Sequence, residues 1–233
     1  MLFSARPYSH PVNWFPYEVT GSIELLSAYV EDIETQVSKG IARYNANAET
    51  IVVESTHPEE PPRVITHHLG LEDETWDLDS IFKEYFPNLQ RRSAVITLYA
   101  FFEHELEKIC KRIGDHSEDK TDLSAIREKG ILRSTTYLQR VAGMENARTT
   151  NEWHEIREIQ LIRNLIAHAD GRLPALTDGR RANLERKIKN SKHLHISGVN
   201  EIGIGAGYLA YTLNIFSLYF EQVHEALRRK YEA

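Results

Sequence analysis

The chain has 233 residues, of which 41% are hydrophobic, 27% charged and 9% aromatic, so it can bury a sizeable core, or two small ones, and disorder or low complexity is excluded over most of its length. Its single cysteine, Cys110, excludes an internal disulfide framework and a CxxC zinc site. With no signal-like apolar run in MLFSARPYSHPVNWF, the expected location is the cytoplasm. A net charge of −6 argues against broad, nonspecific attachment to nucleic acid.

Residues 1–16 are rich in Pro and aromatics and are expected to pack irregularly, with a single domain following over 17–233. Ile23, Leu26, Val30, Ile33, Val37, Ile41 and Tyr44 recur at steps of three and four, which predicts a helix over about 21–46. IVVE and RVITHH, on either side of HPEEPP, predict short strands around a Pro-rich turn, an insertion at about 50–71. A second long helix is expected over about 79–113, bent or restarted at Pro87, with Val95, Leu98, Phe102, Leu106, Ile109 and Ile113 on one face. GDHSEDKTD is a loop. Asp122 is placed to cap a helix beginning LSAIREKG, and LRSTTYLQRV predicts another short helix ending near Gly143.

From about Glu152, the stripe Trp153, Ile156, Ile159, Ile162 and Ile166 predicts a helix that Gly171 stops. Seven basic residues follow between Arg172 and Lys192 (Arg172, Arg180, Arg181, Arg186, Lys187, Lys189, Lys192) against the acids Asp178 and Glu185. That run is a solvated face or a phosphate-facing surface. HLHISGVNEIGIG predicts a small hairpin through GVN before the last helix, at about 207–231. IGIGAGYLAYTLNIFSLYF (202–220) lacks a charge and approaches bilayer length, but its glycines, Asn214 and scattered tyrosines mark a buried core helix, so no membrane is expected. The class is mainly α, an antiparallel helical bundle with a small β-hairpin before the last helix.

The candidate chemistry lies in RNLIAHADGR, Arg163 to Arg172. As a bare pattern Arg-x4-His says little: with 18 Arg and 11 His, about one match is expected by chance, and Arg63/His68 in RVITHH is a second. Looser spacing adds Arg148/His154 and Arg186/His193. Context separates them, since RNLIAH ends a periodic helix and has Asn directly after the Arg. In this it resembles the R-x4–6-H motif of HEPN domains, where a polar residue, often Asn, follows the Arg.

The resemblance implies an all-α bundle, commonly dimeric, with the motifs of two copies facing one another across a cleft. It implies a metal-independent endoribonuclease of the kind found in toxin–antitoxin, abortive-infection and antiviral systems. Arg163 and His168 would be the catalytic pair and Asn164 their support. RNA, and an antitoxin or other regulatory protein, would be the partners, and no cofactor or metal is implied. Such chemistry needs a base for the 2′-OH and a fixed cation at the phosphate, which imidazole and guanidinium supply. The motif of many such toxins continues to a Tyr two residues after the His; here that position is Asp170. The alternatives are a non-catalytic HEPN-like module that binds nucleotide or protein, or a His168 present only to satisfy a helix C-terminus.

Five residues on a regular helix turn through about 140°, so Arg163 and His168 point apart, while Asn164 and His168 share a face. Either Arg163 reaches round or a second copy completes the site, which favours a homodimer. Glu103, in FFEHELEKIC, is a candidate carboxylate to orient Arg163, and with Glu107 and Cys110 it is also a weaker metal candidate. Arg172, Arg180, Arg181 and Lys187 are the candidate RNA contacts. GIGAG reads as a strand-to-helix turn rather than a phosphate loop, and His193 and His195 share one strand face.

Overall fold

The computed structural model describes residues 8–54, 61–117, 121–173, 180–198 and 200–232, with the side chain of Arg180 not included. Among these the chain is mainly helical, with six helices and two small antiparallel sheets. The helices are α1 (Thr20–Asn47), α2 (Phe86–His116), α3 (Gly130–Arg140), α4 (Asn151–Ala169), α5 (Arg180–Asn190) and α6 (Tyr208–Glu232). The strands are β1 (Glu49–Val53), β2 (Arg63–His68), β3 (Leu71–Glu72), β4 (Leu194–Ile196) and β5 (Ile202–Ile204). No helix among the described residues is long and apolar enough to cross a membrane.

Helix α2 is the centre. The stripe expected on it is completely buried: Val95, Leu98, Phe102, Leu106, Ile109 and Ile113 have no exposed surface, and neither has Tyr99 beside them. Helices α1, α3, α4 and α6 all pack on it, and α6 also packs on α1 and α4. Phe102 stacks on Phe216 of α6 at 4.3 Å, in a geometry that adds to burial of the ring surfaces. Each fully buried side chain of this size is worth about 1.5–3 kcal/mol, which explains why these helices cohere despite modest local propensity.

The N-terminal stretch is more regular than its composition suggests. Residues 1–7 lie outside the described residues, but Pro11–Asn13 forms a 3-10 turn and Phe15–Val19 a wider helical turn that runs into α1. Trp14 is fully buried, its indole N–H donating to Glu105 Oε2 at 2.8 Å and its ring meeting Phe220 edge-on at 5.3 Å. A second correction concerns LSAIREKG. Asp122 does cap, accepting from Ser124 N at 2.8 Å, but only the 3-10 turn Leu123–Ala125 follows, and the next helix starts at Gly130.

The expected break near Pro87 takes a specific form. A helical turn at Leu78–Ser80 widens to π geometry over Ile81–Tyr85 before α2 begins, with Pro87 in its first turn. A proline lacks the N–H for the i−4 carbonyl and clashes with it, and the wider turn accommodates both. Strands β1 and β2 pair antiparallel as the sequence indicates, with residues 55–60 between them outside the description. Strand β3 was not foreseen. It joins β2 through Leu69 and Gly70, both at positive φ, the backbone of a tight type I′ hairpin. Strands β4 and β5 form the predicted hairpin, with Val199 of its GVN turn outside the description.

The first turns of α2 hold three separate segments. Asn88 donates to Ile202 O at 3.2 Å and accepts from Ile204 N at 2.9 Å, so its amide extends the hairpin as a strand would. Arg91 forms a two-pronged pair with Glu34 of α1, its shortest contact being 2.6 Å. Arg92 is 3% exposed and reaches Asp170 at 2.6 Å and Glu201 at 3.7 Å. Removing this buried guanidinium in Arg92→Ala should therefore lower unfolding free energy by about 3 kcal/mol in chemical denaturation. Asp170→Asn, at a carboxylate 71% exposed, should cost less than about 1 kcal/mol. Equal effects would show that Arg92 is held by Asp170 alone.

Candidate functional site

Helix α4 starts where Thr150 accepts a hydrogen bond from Trp153 N at 3.1 Å. It ends where Asp170 takes a left-handed backbone and Gly171 N bonds back to Leu165 O, the cap that stops a helix at a glycine. Its predicted stripe is buried throughout. Arg163 lies on that same side, four residues after Ile159 and three before Ile166, pointing toward α2 with its side chain 23% exposed.

Three groups hold the Arg163 guanidinium. It lies over the Tyr99 ring with Cζ 4.3 Å from the centroid. Its Nη2 donates to Glu103 Oε2 at 3.1 Å, and its Nη1 donates to Asn164 Oδ1 at 2.9 Å. The other Glu103 oxygen rests against Gly130, where a Cβ would fall 2.6 Å from Oε1 and where φ is +57°. The positive φ favours glycine there, and a Cβ would displace the Glu103 carboxylate. Burial, and after it the Glu103 charge, pushes the Tyr99 phenol up, so the ring under Arg163 stays neutral.

His168 is exposed on the opposite side of the helix end, five residues on. The offset expected from helix geometry is therefore present, because α4 stays regular from Asn151 to Ala169. Asn164, half-buried, is already engaged by Arg163. Asp170, two residues after His168, is tied to Arg92. Thus the structure brings Arg163, Asn164 and Glu103 together, and leaves His168 exposed one turn beyond Asn164 and turned about 140° from Arg163.

The basic run folds differently from its sequence tally, because acids from elsewhere lie against it. Arg172 pairs with Glu201 at 3.4 Å, and Lys187 with Glu158 of α4. Arg181 pairs with Glu185 at 2.6 Å and reaches Asn200 at 3.0 Å. Arg186 donates to Asn183. Asp178 lies outside the described residues, as does the side chain of Arg180.

The other pattern matches have structural uses. His68 is buried beside Tyr44 and Phe82, with its Nδ1 3.3 Å from Asn47 O, while Arg63 is exposed and paired with Glu74. Arg148, in the loop after α3, ties back to that helix's first two turns through Thr135, Thr136 and Leu132 O. His193 Nδ1 lies 2.8 Å from Ala206 O, and His195 covers Gly203, where a Cβ would collide with its ring. GIGAG is thus the turn from β5 into α6, and two of its glycines make room for these imidazoles.

The metal candidates on FFEHELEKIC do not converge. Glu107 pairs with Lys111 at 2.7 Å, and Cys110 is fully buried, its thiol donating to Ser134 O and pushed up by burial. Among the described residues no cluster of three His, Cys, Asp or Glu side chains is placed to hold a metal ion.

No family model, curated protein or solved structure matches the chain. What can be said of the site therefore rests on its own geometry. Two of its parts escaped the sequence reading. Tyr99 was visible only as one more apolar position, although its place four residues before Glu103 on one helix face was the available signal. Gly130 carried no signal. A double-mutant cycle of Glu103→Gln with Arg163→Met should give a coupling of about 1 kcal/mol for this half-exposed, charge-assisted pair. Coupling of zero would show that the carboxylate does not hold the guanidinium.

Proposed function

We propose that the chain is a metal-independent endoribonuclease of HEPN type, working as a cytoplasmic homodimer in a toxin–antitoxin or phage-defence system. The observation that carries the reading is the treatment of Arg163. A guanidinium on the core side of a helix, oriented by a carboxylate and an amide over an aromatic ring, is fixed in advance rather than free to wander. Such fixed charge is what transition-state stabilisation at a phosphate requires. On the same helix end His168 is exposed and accessible to a substrate.

In this mechanism His168 takes the proton of a ribose 2′-OH, whose oxygen attacks the adjacent phosphorus. Arg163 neutralises the charge gathering on the non-bridging oxygens, and Glu103 and Asn164 position it. The P–O5′ bond breaks, a proton passes to the departing 5′ oxygen, and the products are a 2′,3′-cyclic phosphate and a 5′-OH. Because Arg163 and His168 leave α4 in different directions, a second copy supplies the missing half of each site. In such a system an antitoxin or other regulatory protein would be a further partner.

A second reading, a non-catalytic HEPN-like module that binds nucleotide or protein, is favoured by one observation. The Arg163 cation already has Glu103, Asn164 and Tyr99 as partners, which would suffice to explain it as part of the helix interface.

Purified protein incubated with total RNA in EDTA separates the two. The ribonuclease reading expects cleavage, cyclic-phosphate ends, and losses of about 100-fold or more for His168→Ala and for Arg163→Ala. His154→Ala, an exposed imidazole on the same helix, is the matched control and should cleave normally. His68 does not serve as one, because it is buried and its replacement would test stability. Cleavage that needs Mg²⁺ and leaves 5′-phosphates would contradict the mechanism, and well-folded protein that cleaves nothing would favour the binding module.

A further inference from the structure

A cavity of about 430 Å³ lies between α4, α5, the start of β4 and the first turn of α6. This is within the range that holds a small organic molecule. Its floor is apolar: Ile159 and Ile162 from α4, Leu184 and Ile188 from α5, all buried. One wall is aromatic, with Tyr211 between Tyr208 at 6.1 Å and His193 at 6.3 Å, ring centre to ring centre.

The charges at this cavity are not equivalent. Lys187 is committed to Glu158, both of them about two-fifths exposed at the rim, and Lys192 is exposed. Glu155, half-buried, accepts its hydrogen bond from the Tyr211 hydroxyl and has no cationic partner among the described residues. The phenol is pushed up by burial and then by Glu155 itself, so it remains a neutral donor. Glu155 is thus hydrogen-bonded to a neutral hydroxyl, with no cation among the described residues bonded to it, beside an apolar floor, and the adjacent tyrosine ring adds to the attraction for a cation.

We propose that this cavity binds an organic ammonium ion with an aromatic or hydrocarbon body. The apolar floor takes the body, Glu155 takes the ammonium group, and Tyr211 both orients the carboxylate and offers its ring face. The inference stands independently of the ribonuclease reading.

Tryptamine, 3-methylindole and indole-3-acetate carry one ring system with a positive, a neutral and a negative appendage, and calorimetric titration of the whole chain compares them. Tryptamine should bind with a Kd of about 1 mM or tighter, ahead of both others. Glu155→Gln should weaken tryptamine about tenfold or more and leave 3-methylindole unchanged. Leu161→Glu, at a rim position 45% exposed, adds a carboxylate where folding does not depend on the side chain, and should tighten tryptamine several-fold. The proposal is overturned if tryptamine gives no saturable binding. It is overturned equally if indole-3-acetate binds as well or better, which would assign the site to Lys187 and Lys192. Neither variant changing the affinity would also sink it.

Discussion

A guanidinium that is 3% exposed must find its counter-charge inside the fold, and Arg92 finds it in two segments remote from each other in sequence. Asp170 closes α4, and Glu201 stands at the entry to β5. Binding both brings the C-terminal end of α4 and the hairpin onto the first turns of α2, where Asn88 and Arg91 secure the hairpin backbone and α1. Glycine at 171 is part of the same constraint, since a Cβ there would fall 2.9 Å from the Arg92 guanidinium. The last turn of α4, with His168 on it, is therefore tied to the first turns of α2 by this pair, in addition to the burial of Ile162, Leu165 and Ile166 on α4's own stripe. The guanidinium is the costly member to remove, because it is buried, whereas the exposed Asp170 carboxylate is not.

One turn and a half earlier the logic repeats at lower burial. Arg163 faces the core side of α4, where an apolar residue would be expected, and Tyr99, Glu103 and Asn164 compensate it. Glu103 in turn needs the space left by the absent Cβ of Gly130. Orientation of the cation is thus set by α2, α3 and α4 jointly. Two features of α4 stand on separate sides of this arrangement: the exposed His168, and the cavity behind Ile159 and Ile162.

How much of this was readable beforehand differs by kind of interaction. The helices declared themselves because their buried faces recur every three to four residues, and α2 and α4 carry their stripes without interruption. Pro87 announced a disturbance, though not that a π turn would absorb it. The helical turns on either side of Trp14 were not foreseen because neighbouring prolines mask helical character, and LSAIREKG was misread because a good cap does not by itself sustain a helix. Pairing between distant charges was mostly illegible. The sum over 172–192 counted neither Glu158 nor Glu201, which arrive from other elements, and nothing near Arg92 or Asp170 in sequence suggested that they meet. Glu103 beside Arg163 was the exception, because a carboxylate on the apolar face of α2 was conspicuous. The β2–β3 turn was missed because Leu-Gly lacks the Asn or Asp that usually marks it.

The account's central claim is that Arg163 and His168, leaving one regular helix in different directions, act in composite sites shared between two copies. Mixing the inactive Arg163→Ala and His168→Ala proteins, with subunit exchange allowed, tests this directly. A heterodimer would then hold one site with both side chains intact and one with neither. Random exchange should restore about a quarter of wild-type cleavage, from half the dimers carrying one site of two. Activity no greater than the sum of the two variants, after exchange has been verified, would contradict the shared site.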